Sequence, residues 1–109
     1  MQRSLAAGRV IETERADTIA DGIAVRAPAP EALTMLEGRY DTVVSVSDAE
    51  IIRAMAVAAD RLGLLIEPAG AAGLAAILGD AAAFAGQRIA TILTGGNVSL
   101  QHFSRWVQP

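Results

Sequence analysis

Three apolar, β-branched runs separated by segments of helical period constrain this chain more than any other feature. The runs are 41–46 (DTVVSV), 64–66 (LLI) and 88–93 (RIATIL), and their length and side-chain type predict strands. Between the first two, Ser47 and Glu50 have the S-x-x-E spacing of a capping box, in which serine and glutamate each satisfy an orphan N–H of a helix start. The helix they open places Ile52, Met55, Ala59 and Leu62 along one face and closes at Gly63. Residues 70–78 predict a second helix of small side chains, closed by Gly79, and 100–107 a terminal one. Strand–helix alternation makes right-handed crossovers the default. The expected fold is therefore α/β, a parallel sheet with flanking helices.

Upstream of these elements, Gln2 to Ala7 suits the tail of a helix ending at Gly8. Residues 17–22 suit a loop, and Pro30 suits the first position of a short helix that Gly38 stops. No internal repeat or low-complexity linker interrupts the 109 residues. The expected organisation is one α/β unit over 1–109.

Composition narrows the chemistry. Hydrophobic residues make up 52% and charged residues 19%, which argues for a packed core. A net charge of −3 offers no electrostatic footprint for nucleic acid. There is no cysteine, and His102 is the single histidine, so thiolate chemistry and multi-histidine metal sites are excluded. All nine basic residues are arginine, so no side chain can supply a lysine amine for a Schiff base. The start of the chain lacks the apolar stretch of a signal peptide. The most membrane-like window, 68–86, is mostly Ala and Gly and is broken at Gly79-Asp80, short of the roughly 20 strongly apolar residues that a span needs. These features suggest a cytoplasmic protein with neither membrane nor nucleic-acid partners.

In open parallel sheets, ligands bind beyond the carboxyl ends of the strands. Two predicted strand ends carry polar, glycine-containing segments there, 67–70 (EPAG) and 94–97 (TGGN). Glycines let a flat ligand approach the backbone and allow positive φ. Taken alone, Gly95-Gly96 is equally an ordinary turn, Gly70 and Gly73 equally packing residues, and Glu67 equally a solvated carboxylate.

The order of the pieces is more specific. The stretches DTIADGIAV (17–25), LLIEPAGAAGLAA (64–76) and IATILTGGNVS (89–99) together resemble the C-terminal part of the threonine/serine dehydratases. Those are pyridoxal-phosphate enzymes of fold type II, a group that includes the serine racemases. The resemblance runs from about Gln2 to Val107. It implies that Thr94 contacts the pyridine nitrogen of pyridoxal 5'-phosphate, that Gly95 gives the ring clearance, and that Glu67 and Gly22 lie near the ring. It also implies that the chain is part of the cofactor-binding large domain. The family's cofactor lysine, its glycine-rich phosphate loop and its cation ligands would all lie elsewhere.

The implied activity is that of an ammonia-lyase, eliminating water and then ammonia from a 3-hydroxy amino acid to give a 2-oxo acid. With no lysine, the chain alone is expected to be inactive and to need the N-terminal remainder of the enzyme or a full-length homologue. A non-catalytic α/β binding or pairing module and a truncated gene product are the competing readings. A sheet lacking neighbours exposes edges, so homo-oligomerisation is also expected.

Overall fold

The computed structural model describes residues 1–108. Its helices are α1 (Gln2–Ala7), α2 (Pro30–Leu36), α3 (Asp48–Leu62), α4 (Pro68–Gly79) and α5 (Leu100–Trp106), with a 3-10 turn at Asp21–Ile23. By its internal contacts, the chain divides into two compact groups. One comprises Met1–Thr18 with Ile23–Ser45; the other comprises Ile19–Gly22 with the chain from Val46 onward.

In the first group α1 ends at Gly8, whose φ of 61° turns the chain left-handed. Ser4 is fully buried and fixes the returning segment, because its Oγ accepts from the Ile11 amide at 2.9 Å. Gln2 donates to the Val43 carbonyl at 3.0 Å and accepts from the Ser45 hydroxyl at 2.9 Å, which ties residues 43–45 to α1. Arg26 and Thr13 pair through the Thr13 amide and the Arg26 Nε, while the Arg26 guanidinium meets Glu12 at 2.6 Å.

The second group holds the apolar core. The α3 capping box forms as its sequence predicts: the Glu50 amide donates to Ser47 Oγ at 3.3 Å and the Ser47 amide to Glu50 Oε2 at 2.7 Å. Gly63 ends α3 at φ 66°, with its amide and that of Leu64 returning to the carbonyls of Ala59 and Ala58, a Schellman closure. The buried face of α3 is Ile51, Ala54, Met55 and Ala58, one residue out of phase with the expected one. Only Met55 is common to both, and Leu62 is exposed. The reason lies in the partner. Helix α4 packs on α3 through Ala71 and Ala75, and the alanines at 54 and 58 let the two backbones approach, which the bulkier Ile52 would prevent. Phe103 of α5, Ile66 and Ala20 complete the core.

Helix α4 begins at Pro68, two residues earlier than expected, since proline is pre-organised for the first helical turn. Arg53 reaches across from α3 to the Leu78 carbonyl at 3.3 Å, satisfying an orphan acceptor at the end of α4.

The parallel sheet is not present among the described residues. Segments 41–46, 64–66 and 88–93 carry no strand. A strand exists only by pairing, and these runs lie beside no sufficient set of ladder partners. Val44, Leu64, Leu65, Ile89 and Ile92 are accordingly exposed.

Candidate functional site

The candidate residues converge within the second group, around Glu67. Segment 64–67 leaves the core at buried Ile66, and Pro68 then starts α4, so Glu67 becomes the cap residue of that helix. The Glu67 amide donates to the Gly95 carbonyl at 2.9 Å, which brings the 94–97 turn against the start of α4. Gly95 sits at φ 73°, a conformation that side-chain-bearing residues rarely adopt. A Cβ there would run into the Glu67 side chain at its Cδ, Oε1 and Cγ. Both requirements make position 95 a glycine.

Gly22 lies on the other side of Glu67. A Cβ at position 22 would stand 3.8 Å from Glu67 Oε1 and 3.2 Å from Ala69 Cβ. Segment 19–22 is held there by buried Ala20 and by the Ile19 amide, which donates to the Asp48 carboxylate at 3.2 Å. Thr94 is exposed, and its backbone rests on Gly70. The structure thus brings Gly22, Glu67, Thr94 and Gly95 together. Sequence reasoning missed the anchor Asp48, whose position in the first turn of a helix suits a carboxylate but signals no partner.

Chemically these residues bring together a neutral hydroxyl, a carboxylate and two glycines. The donor set suits one side of a pyridine-type cofactor, with a hydroxyl for a ring nitrogen and a carboxylate beside it, and the missing Cβ atoms of Gly22 and Gly95 let their segments close on Ala69 and Glu67. Covalent capture of an aldehyde needs an amine, and the sequence has no lysine. No group of three His, Asp or Glu side chains among the described residues is placed to hold a metal ion. No helix among them is long and apolar enough to cross a membrane. A separate cavity of about 430 Å³ lies in the first group, lined by Leu5, Gly8, Leu33, Glu37, Tyr40 and Asp41 among others, and includes none of the candidate residues.

Comparisons with known proteins give the family of the chain. The chain is 32% identical over 103 residues to an L-threo-3-hydroxyaspartate ammonia-lyase of a Pseudomonas species, covering 94% of this chain and 32% of that protein. It is 38% identical over 99 residues to the beta-hydroxyaspartate dehydratase of Paracoccus denitrificans, covering 90% and 31%. A solved threonine deaminase, from T.th., superposes with a TM-score of 0.82 at 33% identity, over 91% of this chain and 33% of that one. The chain therefore spans about a third of the length of the relatives it matches. The family model described as pyridoxal-phosphate dependent enzyme matches residues 1–95.

Proposed function

This chain belongs to the pyridoxal-phosphate-dependent enzymes, and on that premise we propose that it is the C-terminal part of an ammonia-lyase acting on a 3-hydroxy amino acid. The observation that carries the proposal is the convergence of Gly22, Thr94 and Gly95 on Glu67 in a chain whose relatives are named as ammonia-lyases and dehydratases. Pyridoxal phosphate, when bound, supplies the electron sink for loss of the α-proton and then of the 3-hydroxyl.

The residues present orient that group. Thr94 would offer a hydrogen bond from its hydroxyl to an unprotonated ring nitrogen, where a carboxylate would instead favour the protonated ring. With that nitrogen unprotonated, the group would supply a weaker electron sink, suited to elimination. The absence of Cβ atoms at Gly95 and Gly22 lets both segments close on Glu67, whose carboxylate would stand beside the ring. The α-proton must be taken by a base outside this chain, because the lysine that does so in such enzymes is absent here. By itself the chain is then inactive.

The partner is a lysine-bearing polypeptide supplying the other two-thirds of a fold type II enzyme. Its strands would pair with 64–66 and 88–93, completing the parallel sheet and covering Leu64, Leu65, Ile89 and Ile92. The test is co-expression with the N-terminal two-thirds of the T.th. threonine deaminase, cut where its similarity to this chain begins. Co-elution, a bound-coenzyme absorbance band and ammonia release from L-threonine or 3-hydroxyaspartate are expected, with the band altered by Thr94→Ala. Two separately eluting polypeptides without coenzyme would overturn the proposal.

A further inference from the structure

Helix α4 carries two glycines in its interior, where alanine would be the better helix former. Both face the segment that delivers Thr94. A Cβ on buried Gly70 would lie 2.6 Å from the Thr94 carbonyl carbon and 3.1 Å from its nitrogen, and would collide with its carbonyl oxygen. A Cβ on Gly73, one turn later, would collide with the Thr91 hydroxyl while standing 3.7 Å from Thr91 Cβ. The order is reversed: the later helix residue meets the earlier segment residue, so α4 runs antiparallel to 91–94. By contrast, Gly63 and Gly96 in the same group have nothing within 4 Å of an added Cβ.

We propose that Gly70 and Gly73 are positioning residues that set how closely Thr94 is held to α4, and hence where its hydroxyl meets a cofactor ring. Gly70 fixes the backbone of Thr94 by direct contact. Gly73 fixes the approach three residues earlier, through Thr91. The Glu67–Gly95 hydrogen bond then closes the far end, so the segment is held at three successive points and Thr94 lies between two of them. The functional meaning rests on the reading of Thr94 given above, whereas the spacing itself is measurable with no coenzyme present.

The test uses the 15N-labelled 109-residue chain. Gly70→Ala is expected to displace the Thr94 and Gly95 amide resonances and to speed hydrogen exchange at the Glu67 amide by about ten-fold or more, as its bond to Gly95 moves. Gly73→Ala is the milder variant, informative even where Gly70→Ala does not fold, because only a hydroxyl stands in the way. It should displace the same resonances by a smaller amount. Thr91→Ala in that background should return them towards wild type, while Thr91→Val, which keeps a methyl in the hydroxyl's place, should not. Wild-type Thr94 and Gly95 resonances in Gly73→Ala, or equal recovery with Thr91→Ala and Thr91→Val, would overturn the proposal. If the spacing holds but Thr94→Ala leaves the coenzyme band of the reconstituted assembly unchanged, the functional reading fails and the spacing stands.

Discussion

Gly95→Ala separates two costs that the structure superimposes at one position. The first is backbone strain. An L-residue in the left-handed region costs roughly 1–2 kcal/mol, partly offset by the roughly 0.4–1 kcal/mol that a lost glycine gains through the unfolded chain. Gly63 measures this part alone, since it has φ 66° and open space around its would-be Cβ; Gly63→Ala should destabilise by about 1 kcal/mol. The second cost is overlap with the Glu67 side chain. Because Glu67 is half-exposed and can swing aside, the overlap should cost about 1 kcal/mol, the low end of core overpacking, so Gly95→Ala should lose roughly 2 kcal/mol in all. Glu67→Ala removes the Cγ, Cδ and Oε1 that collide, so Gly95→Ala in that background should fall back to the Gly63→Ala value. Urea unfolding of the four variants with unchanged m-values gives the cycle. A Gly95→Ala cost no greater than that of Gly63→Ala, or one unaffected by Glu67→Ala, would refute the contact between the turn and the start of α4.

The remaining expectations address the core, pH, chemistry and association. Met55 is fully buried between α3 and its neighbours, so Met55→Ala should cost about 2–5 kcal/mol by calorimetry or urea; less than about 1 kcal/mol would mean a loose core. Glu50 is held below its ordinary value of 4.5 by the Ser47 backbone amide first and then by the Ser47 hydroxyl, against an opposing effect of burial, with Arg53 adding the least. Its contribution is therefore full above that value and lost as the pH falls through the lower folded-state pKa. Glu50→Gln should flatten the acid limb of the melting curve below about pH 4.5, and an unchanged limb would contradict the capping box. Borohydride reduction after treatment with pyridoxal phosphate should label no residue beyond the α-amino group of Met1, as checked by peptide mass mapping, because no lysine exists. Ile92 and Leu100 are 79% and 71% exposed, so sedimentation should show mass rising with concentration; a constant monomer mass would count against self-association.

What was legible in the sequence is what the chain decides locally. The helix starts and stops depend on neighbours a few residues away. Ser47 and Glu50 satisfy each other, Pro68 supplies its own φ, and Gly8 and Gly63 turn left-handed where side chains could not. The phase of α3 was not local. Two faces sharing Met55 were both apolar, and the choice fell to Ala54 and Ala58 because α4 presents Ala71 and Ala75 at close range. The nearness of 67–70 and 94–97 was legible from their places at two predicted strand ends, whereas Gly22 joined them only through family resemblance, since no periodicity links it to either.

The sheet marks the opposite limit. β-branched runs state a preference, but a strand's hydrogen bonds belong half to its neighbour. Residues 64–66 and 88–93 have the side chains of buried strands, yet Leu64, Leu65, Ile89 and Ile92 stand exposed. The same segments lead into the two sides of the candidate site, Glu67 and Thr94. Under the proposed assembly, pairing these edges and completing the pocket would be one event, because a polypeptide that paired with 88–93 would end beside Thr94. A polypeptide that restores coenzyme absorbance should, in the same step, protect the Leu65 and Ile92 amides from exchange. Coenzyme binding without that protection would separate the two and break this link.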